Sequence, residues 1–182
     1  MNRNGFTLIE VLISFAILGI VFATAFRLAA PLSDFFRYGL ARQKANSEAR
    51  ACMNTIGTAM RPGIGASLRY SSPNSSSATS WSRIDFNLAA PLASGTTSYA
   101  IYLTTNGTVQ MQEFYVSGGH GYQRPPQTLA SYVTVLTFAP LDIRDPSIVE
   151  VSLRIDAPLS SSDPSRVTTV MLNQEVHMRV NY

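Results

Sequence analysis

The chain has few of the residues on which most catalytic and metal sites depend. Among its 182 residues are one cysteine and two histidines, so no intrachain disulfide can form and neither residue type recurs at metal-ligand spacing. A Gly-x-Ser-x-Gly nucleophile motif and the spacing of an EF-hand are also absent. The sequence therefore predicts no enzyme, no catalytic residues, no metal site and no cofactor.

The few residues that could take part in catalysis or metal binding have ordinary structural explanations. Cys52 lies on an apolar helical stripe, where burial is the expected fate of a free thiol. We expect His120 to lie in a flexible glycine-rich loop, residues 118–122, which lacks the lysine of a phosphate-binding loop. We expect His177 to lie on the surface or edge of a terminal strand. None of these residues predicts a site.

Positive charge is modest and dispersed. The formal net charge is +3 at pH 7, and the basic residues between positions 27 and 50 would lie near a membrane surface or inside an assembly. A weakly basic, solvated surface explains this charge, so the sequence does not predict a nucleic-acid partner.

The most informative feature is a long apolar run in which Glu10 is the only ionisable side chain. Residues 6–26 form this run, and as a helix they would extend roughly 31 Å, close to the thickness of the hydrocarbon core of a bilayer. A charged group at the centre of such a span costs about 2.5–3.5 kcal/mol, and less near its end. Glu10 should therefore have a partner or a function.

The residues around Glu10 form a specific motif. A short polar leader, Met1-Asn2-Arg3-Asn4, precedes Gly5-Phe6-Thr7-Leu8-Ile9-Glu10, and this pattern closely resembles the class III signal of type IV prepilins and type II secretion pseudopilins. The resemblance implies cleavage between Gly5 and Phe6 by a membrane-embedded prepilin peptidase, followed by N-methylation of Phe6. It also implies a bacterial inner-membrane protein with a single pass and a periplasmic head, which an assembly platform incorporates into a filament.

Glu10 lies four residues after Phe6, one helical turn away. In the family that this motif resembles, the glutamate is thought to neutralise the terminal amine of a neighbouring subunit when the helices pack. Two charges that are costly alone in lipid become compatible with it when paired. The resemblance therefore implies that Glu10 is an assembly contact with other pilins or pseudopilins.

Two alternatives remain open on the sequence. Ala23-Thr24-Ala25 is an A-x-A pattern, so conventional signal-peptide cleavage before Phe26 would give a soluble exported protein. The chain could also be a monomeric, membrane-anchored binding domain that uses a pilin-like export signal. Counting basic residues on the two sides of the span would favour the reverse orientation, but the family resemblance overrides that count.

Beyond the span, the helix is expected to continue with an apolar stripe that packs on a sheet. Its members recur mostly at steps of three or four, and Arg61-Pro62-Gly63 should end the helix. A local break, if present, is expected at Pro31. The stripe consists of Leu28, Leu32, Phe35, Gly39, Ala45, Ala49, Cys52, Ile56 and Met60.

The remainder of the chain alternates in short β patterns without intervening helical ones, which predicts an antiparallel sheet. Strands are expected at residues 83–88, 99–103, 109–116, 132–138, 148–155 and 167–180. Asn106-Gly107 predicts a hairpin turn, and residues 71–77 and 157–166 read as polar loops. The expected fold class is α+β and pilin-like.

The expected organisation is a cleaved leader at 1–5, a membrane or filament-core helix at 6–27, an amphipathic helix at 28–62 and a β-rich head at 63–182. The strand patterns of the second half resemble, more weakly, PilW-like and GspJ-like minor pilins. That resemblance implies a low-abundance subunit near a filament tip that helps to initiate assembly. The extreme-tip subunit typically lacks the glutamate, so Glu10 argues against that position.

Overall fold

The computed structural model describes residues 7–71, 82–142, 145–160 and 163–179. The chain divides into two compact units, the first ending at Leu40 and the second comprising residues 41–182. One helix, α1, Leu8–Met60, contributes residues to both units. The two units are described separately.

Helix α1 begins after Thr7, whose carbonyl oxygen accepts hydrogen bonds from the backbone N–H groups of Glu10 and Val11 at 3.1 and 3.3 Å. It then passes through Pro31 without ending, so the expected break there is not observed. Proline removes only one N–H donor from the ladder of backbone hydrogen bonds. The helix ends at Met60, immediately before Arg61-Pro62-Gly63 as predicted.

The apolar stripe of α1 is buried only in the second unit. Ala45, Ala49, Cys52, Ile56 and Met60 are at most 1% exposed, which confirms this part of the predicted stripe. The earlier members, Leu28, Leu32, Phe35 and Gly39, are all exposed. These residues belong to the first unit, so the packing of residues 28–39 on a sheet stays a prediction.

The strands form two antiparallel sheets, whereas the sequence had predicted one. Together with the packing of α1 on them, this confirms the α+β, pilin-like fold class. The larger sheet has the order β1-β2-β3-β4-β5, and β6 also pairs with β4; the smaller has the order β7-β8-β9. The strands are β1 Arg69–Ser71, β2 Arg83–Asn87, β3 Thr96–Leu103, β4 Val109–Ser117, β5 His120–Gln123, β6 Gln127–Ala130, β7 Val133–Asp142, β8 Asp145–Ser160 and β9 Asp163–His177.

The Asn106-Gly107 turn was predicted correctly and joins β3 to β4. Leu103 pairs with Val109 across it, and Gly107 has φ +70°, a conformation that glycine adopts without a steric penalty. Of the predicted loop at residues 157–166, the described residues 157–160 and 163–166 are strand. Ala157 pairs with Thr168 there.

The sequence predicted a loop at residues 157–166 because they contain proline and several serines. The pairing of the strands explains why Pro158 can nevertheless lie in a strand. Strand β7 pairs with β8 only as far as Ile155, so Pro158 lies in a two-stranded extension of β8 and β9. A proline at such an open edge costs no hydrogen bond to a neighbouring strand on that side. The predicted loop at 71–77 falls mostly outside the described residues.

One core joins the helix to both sheets within the second unit. Its largest fully buried side chains include Phe86 from the larger sheet, Phe138 from the smaller one and Ile56 from α1. Inward residues of β8 (Val149, Val151, Leu153, Ile155) alternate with partly exposed polar ones, as expected for a sheet with one covered face.

The short segment after α1 connects the two sheets through backbone hydrogen bonds. The Ile64 N–H donates to Asn87 of the larger sheet at 2.9 Å, and the N–H of Arg179, just after β9, donates to the Gly63 carbonyl at 3.0 Å. The N–H of Gly65 in turn donates to the Arg179 carbonyl at 3.1 Å. The end of the helix is thereby fixed to both sheets.

Gly63 has no space for a side chain at this junction. A β-carbon there would overlap the methyl group of Met178 and lie 2.7 Å from a ring carbon of Phe86 and 2.9 Å from the Met60 carbonyl oxygen. We expect Gly63→Ala to lower the free energy of unfolding by about 1–3 kcal/mol because the close neighbours include backbone. Thermal unfolding of the detergent-solubilised full chain would measure this loss.

Gly121→Ala is the matched control, because a β-carbon at Gly121 would meet no atom within 4 Å and its φ is not positive. That variant should unfold within about 0.5 kcal/mol of the parent, as surface substitutions usually do. Equal stability of the Gly63 and Gly121 variants would contradict the packing described for the junction.

Candidate assembly site on the N-terminal helix

The first unit is a helix whose described side chains are all exposed. Every described side chain from Thr7 to Leu40 is exposed, including Leu8, Leu12 and Phe15 at 61–81%. The helix is long and apolar enough to cross a membrane. A helix that is apolar on all sides requires lipid or other helices around it, so this unit is incomplete in an aqueous setting.

Glu10 lies in the first turn of this helix. Within the described residues its carboxylate has no side-chain hydrogen bond or ion pair. Only its backbone is engaged, because its carbonyl oxygen accepts a hydrogen bond from Ser14 Oγ at 2.8 Å. The partial positive charge at a helix N-terminus favours a carboxylate in this turn, but it does not replace a cationic partner in lipid.

Gly5 and Phe6, the predicted processing residues, lie outside the described residues.

Two other polar side chains of the span, Ser14 and Thr24, form hydrogen bonds to backbone carbonyl oxygens of the helix itself. Ser14 bonds back to Glu10, and Thr24 Oγ1 donates to the carbonyl oxygens of Ile20 and Val21 at 3.1 and 2.8 Å. Glu10 is therefore the ionisable side chain of the described span that still needs a partner.

Cys52 is buried in the core as predicted, at 1% exposure. Burial disfavours the thiolate and raises the pKa of the Cys52 thiol to about 12. A reactive cysteine needs a lowered pKa and some exposure, so Cys52 is a packing residue.

The two histidines lie apart on the surface. His120 is not in a flexible loop: Gly118 and Gly119, with φ +59° and +82°, form a tight turn, and His120 begins β5 by pairing with Ser117. His177 is exposed at the end of the edge strand β9, as predicted. His177 lies close enough to the Asp145 carboxylate to interact with it electrostatically, but within the described part of the chain neither histidine belongs to a group of three side chains that could hold a metal.

The aspartates of the smaller sheet have structural roles. Partial burial acts to raise the pKa of Asp156, but hydrogen bonds from Thr169, Thr134 and Arg154 outweigh it and lower that pKa. Asp145 accepts hydrogen bonds from the hydroxyl and N–H groups of Ser147, which lower its pKa. Across the residues that the structure describes, no three Asp, Glu, His or Cys side chains are grouped as a metal site.

Comparison with known proteins identifies the same segment. Residues 1–26 match the family model described as the prokaryotic N-terminal methylation motif. No curated protein and no solved structure matches the chain. The match supports a type IV pilin-like family and, within it, a substrate of prepilin peptidase that assembles with other pilins. It suggests a structural subunit, and it is consistent with an inner-membrane anchor.

The raised pKa of Cys52 makes stability depend on pH. Since the folded thiol titrates near pH 12 and an unfolded one near its ordinary value of 9, the stabilising contribution is complete below pH 9. It is lost as the pH rises through 9 to 12, by about 1.4 kcal/mol per pH unit. Urea unfolding at several pH values would measure the loss, and Cys52→Ala is the control.

The difference in stability between the parent chain and Cys52→Ala should shrink above pH 9, because all other groups titrate equally in both proteins. A difference that stays constant up to pH 11 would show that the Cys52 thiol titrates normally in the folded chain.

Proposed function

We propose that the protein is a minor pilin or pseudopilin that helps to initiate or cap a type IV pilus or a type II secretion pseudopilus. The observation that carries the proposal is the coincidence of two features in one segment. The methylation motif covers residues 1–26, and this segment contains the apolar span, in which the Glu10 carboxylate has no side-chain partner among the described residues.

Processing would create the partner that Glu10 needs. Removal of residues 1–5 by prepilin peptidase leaves an amine on Phe6, which is then methylated. In a helix that includes Phe6, at about 1.5 Å per residue, this amine would lie roughly 6 Å along the axis from Glu10. A neighbouring subunit displaced slightly along its axis can bring its own Phe6 amine against the Glu10 carboxylate.

Pairing would couple assembly to the membrane environment. An isolated carboxylate or ammonium in hydrocarbon is costly, whereas a hydrogen-bonded pair offsets much of the desolvation. Each helix that docks satisfies one charge of its neighbour, so the packed state is favoured over the dispersed one. The chain would enter the filament from the inner membrane, delivered by the assembly platform.

The proposed organisation assigns residues 6–27 to the membrane and the filament core, residues 28–62 to the amphipathic helix and residues 63–182 to a periplasmic head. The weaker resemblance of the second half to PilW-like and GspJ-like subunits supports a position near the tip. The presence of Glu10 argues against the extreme-tip position.

A monomeric anchored binding domain would share the export signal and the head. The two functions differ over Glu10, because a carboxylate in the span has a task only when helices associate. This difference makes Glu10 the residue to test.

Glu10→Val should leave processing and membrane insertion intact, since it removes a charge from an apolar span. It should reduce incorporation into filaments by at least about tenfold, because a buried amine left unpaired costs more than 1.4 kcal/mol. Quantifying the chain in sheared filaments and in membranes, by immunoblot, would measure the ratio.

Ser14→Val is the matched control. It replaces a polar residue one turn later, whose hydroxyl bonds only to the Glu10 carbonyl, and it leaves the carboxylate in place. Its incorporation should equal that of the parent chain. Normal incorporation of Glu10→Val would refute the assembly role of Glu10 and favour the monomeric anchor.

A further inference from the structure

Strand β9 lies at the edge of the smaller sheet, and one of its two sides is open. Among the described residues it pairs only with β8, and its register against β8 is unbroken from Val167 to His177. Hydrogen-bonded and non-hydrogen-bonded pairs alternate along an antiparallel ladder. Every second residue of β9 therefore directs its backbone N–H and C=O groups away from β8.

Two hydrogen bonds identify the residues that face the open side. The Met178 N–H donates to the Ser147 carbonyl of β8 at 2.7 Å, so the even-numbered residues bond to β8. The Arg179 N–H donates to Gly63 on the other side at 3.0 Å, which shows that this side can accept a further strand. The open backbone groups belong to Val167, Thr169, Met171, Asn173, Glu175 and His177.

The open edge lacks the features that usually prevent a strand from pairing with other molecules. Those features are charged residues, prolines and bulges. Residues 167–174 include no charged residue and no proline, and they pair with β8 without a bulge. The outward side chains of Val167 and Met171 are 45% and 62% exposed. The other edge strand of this sheet, β7, differs because it contains Pro140 and a shift of register beside it.

A groove lies next to this edge, between β9 and helix α1. Its volume is about 320 Å³, within the range of roughly 300–1,000 Å³ for ligand-binding pockets. Met53 and Leu172 are its apolar residues, and Arg50, Asn54, Asn173 and Gln174 complete its lining. A strand added to β9 would direct alternate side chains towards the groove, because successive side chains point to opposite faces of a sheet.

The groove carries a positive charge. Arg50 is exposed, and its Nε donates to Asn46 Oδ1 at 3.3 Å. Among the described residues it forms no ion pair with a carboxylate. A carboxylate on an incoming strand could form a charge-assisted hydrogen bond with this guanidinium. The charge therefore favours a partner that carries an acid at this point.

A second copy of β9 would not supply that acid. In edge-to-edge pairing of two copies, the side chains on the groove side would come from the even-numbered residues of β9. None of these residues is acidic: they are Thr168, Val170, Leu172, Gln174 and Val176.

We propose that the open edge of β9 and the adjacent groove bind an extended segment of a different protein by strand addition. The backbone of that segment pairs with the odd-numbered residues of β9. Its apolar side chains pack against Met53 and Leu172, and one carboxylate pairs with Arg50. The inference goes beyond the proposed function and is independent of Glu10, because every residue involved belongs to the second unit.

Peptide selection on the full-length chain tests the chemistry of the partner. A phage-displayed library of short random peptides is selected against the detergent-solubilised protein. Enriched peptides should contain a run of β-branched or other apolar residues, which suits an added strand, together with an acidic residue for Arg50. A library that yields no enriched peptide, or only peptides without an acid, would overturn the proposal.

Asn173→Pro tests backbone pairing with a synthetic copy of the enriched peptide. It removes one open N–H while the bonds to β8 remain, and edge strands accept proline at such positions. The peptide should bind at least about tenfold more weakly. Asn173→Thr is the matched control, since it keeps the N–H and suits a strand, and its affinity should stay within about threefold of the parent. Equal affinities of the two variants would contradict strand addition.

Arg50→Glu tests the charge without a change to the strand. It should weaken binding of the acidic peptide at least about tenfold, because two carboxylates then oppose each other. A peptide in which lysine replaces the acid should bind this variant better than the parent chain. If Arg50→Glu binds the acidic peptide as well as the parent does, the assignment of Arg50 is wrong.

Amide hydrogen exchange distinguishes strand addition from other modes of binding. In the free chain the N–H groups of Thr169, Met171 and Asn173 should exchange faster than those of Val170 and Leu172, which are bonded to β8. The peptide should slow exchange of the first set at least about tenfold and leave the second set unchanged. Binding without this alternating protection would overturn the proposal.

The same measurement identifies a different occupant of the edge. If the odd-numbered amides are already protected without peptide, and dilution of the protein removes that protection, a second copy occupies the edge and the proposed partner is wrong. None of these results depends on filament incorporation, so they leave the test of Glu10 unaffected.

Discussion

The N-terminal helix has one electrostatic requirement: the Glu10 carboxylate lies in an otherwise apolar span and needs a cationic partner there. The described side chains of residues 7–40 are exposed, and within the described residues this carboxylate has no side-chain partner. Lipid can solvate the apolar side chains but not the charge. Glu10 would therefore need a cationic partner from another molecule, and in the proposed function that partner is the processed amine of a neighbouring subunit.

The second unit holds the other end of the same helix firmly. The stripe from Ala45 to Met60 packs into the core of both sheets, and Gly63 and Ile64 bond to each of them. The small side chains of Ala45 and Ala49, at 1% and 0% exposure, let the sheets approach the helix closely.

Short sequence patterns were sufficient to predict much of the fold. The Arg61-Pro62-Gly63 stop and the Asn106-Gly107 turn act through the backbone preferences of their own residues, and the sequence predicted both. The loop prediction around Pro158 was wrong because a strand accepts a proline only where no neighbouring strand needs its N–H. That position depends on where β7 stops pairing with β8, which is set by the tertiary structure. The division into two sheets and the positive φ of Tyr132 are set by contacts distant in sequence. Glu10 could be singled out as a candidate from the sequence because the motif and the apolar run overlap, whereas the lack of a partner for its carboxylate within the described residues is visible only in the structure.

The mass of the mature chain tests the central claim most directly, because the amine that would pair with Glu10 exists only after cleavage between Gly5 and Phe6. Intact-mass measurement on protein extracted from its native membrane should show loss of residues 1–5 and gain of one methyl group. Loss of residues 1–25, as in conventional signal-peptide cleavage after Ala25, would remove Glu10 altogether. An unprocessed mass would likewise contradict the account, since no amine would then lie one turn before the carboxylate.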